Sequence, residues 1–283
     1  MKPTTVAAGG VNVGVREWGD VGARALVSWP GLNPFGGLHL IEAGPLLAAR
    51  GFRILSIAPP GAGDTPSLAE PDDYLPTRLA QLVVDTAGAL GVDRFAFMGW
   101  SWGASIGVHL AVRHPSRIEA LVLLDAGHTD VELEQTRGEL EREFAAEQER
   151  FEFGSWEEYF GAVRSRVPSW RPALEERYRA AMRDDGGRIV PRSSARAAAW
   201  ALLGVAAERP SSTHERLGEL GIPVLLVLAG RNDTSEEADR FQLAVPQADV
   251  RTVDAGHDVI ADAPEEMASL VAGWLESALA GPG

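Results

Sequence analysis

What most constrains this chain is an alternation of two periodicities. Short apolar and β-branched runs, Val11 to Trp18, Ala25 to Trp29, Arg53 to Ile57, Phe95 to Met98, Ala120 to Leu124, Pro223 to Ala229 and Val250 to Val253, are bounded by turn residues and read as strands. Between most of them lie amphipathic stretches with helical spacing: Leu40 to Arg50, Thr77 to Leu90, Trp102 to Arg113, Glu236 to Leu243 and Pro264 to Leu279. Strands joined through helices require crossover connections. The expected fold class is therefore α/β, a mostly parallel sheet with helices on both faces. Ligands in such sheets sit beyond the carboxyl ends of the strands, so chemistry is sought there.

The alternation lapses between His128 and Ser211, where the sequence turns charged and helix-prone over Glu132 to Phe153, Trp156 to Arg166, Pro172 to Arg183 and Ser194 to Val205. Residues 1–127 and 212–283 then form the core, and 128–211 an inserted helical cap. The insertion carries Phe151, Phe153, Trp156, Tyr159, Phe160, Trp170, Tyr178 and Trp200. Aromatic surface of that extent needs something to cover, as in lids over active sites.

Composition excludes several classes. Asp and Glu outnumber Lys and Arg 40 to 26, a formal charge of −14, which repels phosphate backbones and anionic lipid. Neither a nucleic-acid nor a membrane partner is expected; a small-molecule substrate is, acting on a monomer or homodimer. The absence of cysteine removes thiolate chemistry and Cys-based metal sites. The first ten residues lack the apolar stretch of a signal peptide, so a cytoplasmic location is expected.

The chemistry-bearing segment is Phe95-Ala96-Phe97-Met98-Gly99-Trp100-Ser101-Trp102-Gly103-Ala104, a strand running into a helix through G-x-S-x-G. A turn this sharp holds Ser101 in a strained conformation above the sheet, and close packing of strand and helix leaves no space for side chains at Gly99 and Gly103. The first N–H of the helix, from Trp102, faces a developing oxyanion. Serine is a weak nucleophile at neutral pH and requires a base with an orienting group.

Among six histidines His257 fits the base best, because Val250 to Asp258 places it just after the last strand and before the final helix. His39, His109, His114 and His214 sit in or beside other elements, and His128 could line the pocket. For the acid, Pro223 to Asp233 ends a buried strand with a carboxylate on the following loop, so Asp233 is preferred, with Asp125 after the preceding strand as its competitor. The chain order Ser101, Asp233, His257 is that of a triad built on such a sheet. A second oxyanion donor is sought in Trp29-Pro30-Gly31-Leu32-Asn33-Pro34-Phe35-Gly36-Gly37. Pro30 has no N–H, which makes Leu32 the candidate and Asn33 the next. Trp29 and Trp100 are expected to contact substrate, and at least one of Trp29, Trp100 and Trp102 to line the pocket.

On these residues the chain resembles the α/β-hydrolase superfamily, in its capped branch of serine esterases and proline iminopeptidases. Ile57-Ala58-Pro59-Pro60-Gly61-Ala62-Gly63-Asp64-Thr65 is similar to that family's D-x-x-G-x-G-x-S turn, and Arg113-His114-Pro115-Ser116-Arg117-Ile118 to its exit from the nucleophile helix. The family usually carries His-Gly where this chain has Pro30-Gly31, and that histidine braces the oxyanion loop. The resemblance implies acyl transfer to water with no metal and no cofactor. It also sets a Ser nucleophile apart from dehalogenase and epoxide hydrolase chemistry, which this scaffold performs with Asp. Hydrolysis of a carboxylic ester is the expected reaction, with lactones, thioesters, carbon–carbon bonds beside a ketone and N-terminal peptides as alternatives. An aminopeptidase would need cap carboxylates such as Glu157 or Glu158 for the substrate amine. A triad-bearing binding protein with negligible turnover is the alternative outside enzymes.

Overall fold

The computed structural model describes residues 1–167 and 170–280. The strands are β1 (Lys2–Ala8), β2 (Val11–Trp18), β3 (Arg24–Trp29), β4 (Phe52–Ile57), β5 (Phe95–Trp100), β6 (Ile118–Leu124), β7 (Met182–Asp185), β8 (Arg188–Pro191), β9 (Val224–Ala229) and β10 (Ala248–Val253). Among the described residues eight of them form one sheet in the order β1-β2-β4-β3-β5-β6-β9-β10. It is antiparallel where β2 meets β1 and β4, and parallel elsewhere. The α/β class read from the sequence is the class observed.

Period-two alternation explains why the central strands are apolar throughout. Phe95 and Phe97 of β5 face one layer with Leu121 and Leu123 of β6, while Ala96 and Met98 face the other with Ala120 and Val122. The first layer is covered by the helices Pro76–Ala89 and Trp102–Arg113, the second by Ala43–Ala49 and Pro264–Ala278. Strand β1, Lys-Pro-Thr-Thr-Val-Ala-Ala, is an addition to the sequence reading. It is a mostly exposed edge strand whose pairing comes from backbone hydrogen bonds to β2 and not from an apolar face.

Residues 128–211 contribute the helices Arg137–Glu149, Trp156–Arg164, Pro172–Ala180 and Ala195–Ala207. The expectation of an all-helical insertion is corrected in one place. The helix expected to run to Arg183 stops at Ala180, and β7 and β8 form a hairpin around Gly186 and Gly187, whose φ angles are +64° and +92°. Two successive positive φ values define the tight turn that suits the twist of a hairpin, and glycine supplies both. The Asp184 carboxylate fastens it by accepting from the Gly187 N–H at 2.8 Å. The aromatic residues of the segment cluster together: Trp156 stacks on Phe160, and Tyr159 meets Phe153 edge-on.

Candidate active site

Ser101 lies between β5 and the helix Trp102–Arg113 with φ +52° and ψ −116°, a conformation that costs a non-glycine residue about 1–3 kcal/mol. The neighbouring glycines are required by space: a methyl group on Gly99 would lie 2.2 Å from the Gly103 carbonyl oxygen, and one on Gly103 the same distance from that of Trp29. The hydroxyl therefore stands clear of the sheet at the carboxyl ends of the strands.

Ser101 Oγ is 2.8 Å from His257 Nε2, and His257 Nδ1 is 2.7 Å from Asp125 Oδ2. A carboxylate only accepts, so Nδ1–H donates to Asp125, Nε2 carries the lone pair, and the serine hydroxyl donates to it. The structure thus corrects the choice of acid. Asp233 is exposed and accepts from the Ser235 hydroxyl at the start of the helix Ser235–Ala244, one residue past the site. Asp125, at the end of β6, has φ +50° and a side chain only 2% exposed. Its carboxylate is filled from three sides: the Ala229 N–H reaches Oδ1 at 2.8 Å, while Asn232 Nδ2 and His257 Nδ1 each reach Oδ2 at 2.7 Å. Asn232 is thus a residue of the site that sequence reasoning passed over, because the acidic residue beside it drew the attention.

Trp29 and Trp100, expected at the substrate, are instead structural supports. Trp29 is fully buried and packs edge-on against Trp102 at 5.5 Å. Trp100 is buried beneath the histidine loop and donates its indole N–H to the His257 carbonyl at 2.7 Å. Trp100 thus helps fix the base.

The loop after β3 lies against the nucleophile. A methyl group on Gly31 would come within 3.0 Å of the Ser101 Cβ, and the Gly103 N–H donates to the Pro30 carbonyl at 3.1 Å. Pro30 therefore anchors the loop through its oxygen. Beyond it Asn33 makes a tight turn, its Oδ1 accepting from the Phe35 N–H at 2.9 Å and its Nδ2 donating to the Gly31 carbonyl at 3.2 Å. A buried histidine also braces this loop, although from another position. His39 donates Nδ1–H to the Gly36 carbonyl at 3.2 Å and accepts the Ser28 hydroxyl on Nε2 at 3.0 Å.

Burial pushes the His39 imidazole down to about 3, helped by the charge of Arg177 and opposed by the bond to Gly36. Burial lowers His109, His128 and His214 as well. The His39 ring stays neutral when folded down to about 3 but titrates near 6.5 once unfolded. Between those values the unfolded chain binds more protons, so stability is lost as pH falls below 6.5 toward 3. His39 alone is expected to cost about 2 kcal/mol on going from pH 7 to pH 5. Denaturant titrations at the two pH values should show a smaller loss for His39→Gln than for the parent protein. Equal losses would remove His39 from the explanation.

A cavity of about 350 Å³ opens beside this arrangement. Its core wall is formed by Leu32 to Phe35, Pro59 to Ala62 and Trp102, and its other wall by Phe144, Phe151, Tyr159, Tyr178 and Met182 of the 128–211 segment. Leu32 and Trp102, whose N–H groups are the candidate oxyanion donors, line this cavity and are the chain neighbours of Gly31 and Ser101, while Ser101 and His257 themselves lie outside its wall. Most polar groups in its wall are already occupied: Gln148 bonds Ser193 and Ala195, and the Tyr159 hydroxyl bonds the Tyr178 carbonyl.

A serine at a strand-to-helix turn, bonded to a histidine that is bonded to a buried carboxylate, all at the carboxyl edge of a mostly parallel sheet, is the site of an α/β-type hydrolase. The chain belongs to the alpha/beta hydrolase fold family, whose model matches residues 29–264. It is 33% identical over 81 residues to bifunctional epoxide hydrolase 2 of Rattus norvegicus, a stretch that makes up 29% of this chain and 15% of that protein. The chain thus spans a minor part of that relative's length. The thioesterase domain from the curacin biosynthetic pathway shares its fold with a TM-score of 0.80 at 19% identity, over 96% of this chain and 99% of that domain. E-2-(acetamidomethylene)succinate hydrolase does so with a TM-score of 0.77 at 20% identity, over 97% of this chain and 99% of that one. Among the described residues no helix is long and apolar enough to cross a membrane.

Proposed function

We propose that the protein is a serine hydrolase that cleaves a carboxylic ester of a small apolar or aromatic substrate through an acyl-enzyme on Ser101. The observation that carries this reading is the unbroken relay from Ser101 Oγ through His257 to Asp125, at 2.8 and 2.7 Å, beside a largely apolar cavity. His257 Nε2 takes the serine proton as Oγ attacks the ester carbonyl. The Trp102 and Leu32 N–H groups receive the charge on the carbonyl oxygen. The protonated imidazole then returns its proton to the departing alkoxide, which leaves as the alcohol. His257 is half exposed, so water reaches it, loses a proton to Nε2 and attacks the acyl-enzyme. Release of the acid restores the serine hydroxyl.

The segment 128–211 acts in this reading as the cap, its aromatic side chains forming the far wall of the acyl or alcohol pocket. The aminopeptidase alternative loses the anchor considered for it. Glu158 is spent on the Gly154 N–H at 2.8 Å at the start of its helix, and neither it nor Glu157 lines the cavity; the carboxylate of the segment that does is Glu147.

A panel of nitrophenyl esters, a lactone, a thioester and a proline arylamide tests the proposal. Multiple turnovers are expected on esters with ring-bearing or branched acyl groups, at about tenfold or greater advantage in kcat/KM over acyl groups ending in a carboxylate, whose desolvation the cavity does not repay. A single stoichiometric burst would mark a binding protein, and preference for the arylamide would mark a peptidase; either overturns the ester reading.

A further inference from the structure

Among the described residues three ion pairs join the 128–211 segment to the core, and in each the arginine belongs to the segment: Arg171 with Glu42 at 2.6 Å, Arg177 with Asp258 at 2.8 Å and Arg192 with Asp64 at 3.0 Å. Arg171 and Arg192 are partly exposed, where such pairs stabilise little. Arg177 differs, its side chain being 3% exposed and its Nε having no hydrogen-bond partner. A buried guanidinium with an unfilled donor is not a device for stability, since desolvation offsets most of what its pairing contributes.

What Arg177 touches suggests another role. Its terminal nitrogen holds the carboxylate of Asp258, the residue immediately after His257. Asp258 uses its other oxygen to accept from the Ala261 N–H at 3.1 Å, so its position is set from both ends. The guanidinium carbon of Arg177 lies 4.2 Å above the ring of Phe35, on the loop whose Gly31 packs against Ser101. One buried side chain of the segment therefore clamps both core loops, the one carrying the base and the one carrying the candidate oxyanion donor.

We propose that Arg177 is a positioning residue: it holds the His257 loop through Asp258 and the oxyanion loop through Phe35, so that alignment of the relay depends on the 128–211 segment being seated. The proposal rests on the serine-hydrolase reading. A misplacement of the base by about 1 Å is enough to lower turnover about 100-fold.

The test measures kcat and KM on an aromatic nitrophenyl ester together with the rate at which a small alkyl fluorophosphonate labels Ser101, a probe too small to need the cavity wall. Arg177→Met is expected to lower kcat and the labelling rate together by about 10- to 100-fold with KM nearly unchanged. Arg177→Lys keeps the charge and loses the flat stacking surface, so it should recover part of both. Asp258→Asn should lower both quantities in the same ratio, and the double variant should be no worse than Arg177→Met alone, because the two act through one contact. Should Arg177→Met fail to fold, Arg177→Lys and Asp258→Asn decide the matter. Unchanged kcat and labelling with only a lower Tm would overturn the proposal, as would a raised KM with unchanged labelling. Failure of the parent protein to label at all would instead overturn the serine-hydrolase reading beneath it.

Discussion

Ser101→Ala is expected to lower turnover by about 10⁵- to 10⁶-fold while leaving the fold and Tm nearly intact. The size follows from what is removed. Without Oγ no acyl-enzyme forms, and His257, held by Asp125, has no serine proton to take, so the three groups fail together. What remains is binding beside the N–H donors and slow attack by water. The fold should survive because the hydroxyl bonds only to His257, whose ring is half exposed and can turn to water. Alanine keeps the strained φ of +52° and adds no atom to the turn. Mass spectrometry of the parent protein treated with a fluorophosphonate should place the label on Ser101, and the alanine variant should take none. Label that persists on the variant would show that another nucleophile carries the activity.

Most of the architecture was legible in the sequence because burial on both faces leaves a strong signal. A strand such as Phe95 to Trp100, with no exposed position, is apolar throughout, and the Gly99 and Gly103 spacing follows directly from backbone oxygens only 2.2 Å from where side chains would begin. The missed pieces lack that signal. Strand β1 buries almost nothing. The hairpin of β7 and β8 was announced by Asp185-Gly186-Gly187-Arg188, a turn signal flanked by short arms, but the charged Met-Arg-Asp-Asp arm resembles the helices around it more than a strand. A two-residue backbone turn decided the matter against local propensity.

The site was legible to a different depth. Ser101 and His257 follow from the turn and from the last strand, each with few competitors. The acid had two candidates at the ends of adjacent strands, Asp125 after β6 and Asp233 after β9, and both spacings allow a carboxylate on a loop. What separates them is three-dimensional: the Ala229 N–H at the end of β9 points at Asp125 Oδ1, and Asn232 completes the cradle one residue before Asp233 turns to solvent. Positive φ at Asp125, rare outside glycine, marks the strain by which the carboxylate is held there. Of the three tryptophans only Trp102 lines the cavity, and Trp29 and Trp100 misled for a related reason: aromatic residues near a nucleophile serve to support it as readily as to contact substrate, and Trp100 does so through the His257 carbonyl.

Asp125→Asn should therefore lower kcat by about 10²- to 10⁴-fold, and Asp233→Asn should leave it within about twofold. The cradle dictates how the asparagine sits. The Ala229 N–H needs an acceptor at the Oδ1 position, 2.8 Å away, so the amide oxygen occupies that place and the amide nitrogen falls where Oδ2 was. An NH2 group then faces His257 Nδ1, which must accept, and the proton moves to Nε2. Nε2–H now points at Ser101 and has no lone pair with which to take its proton. The same NH2 also meets the Asn232 amide, whose donor loses its acceptor. Adding Asn232→Asp beside Asp125→Asn places a carboxylate next to the new amide without restoring one opposite Nδ1, so activity should stay low. Rates measured against Tm separate chemistry from unfolding, since the loss should appear in fully folded protein. A crippled Asp233→Asn beside an active Asp125→Asn would return the role of acid to the loop after β9.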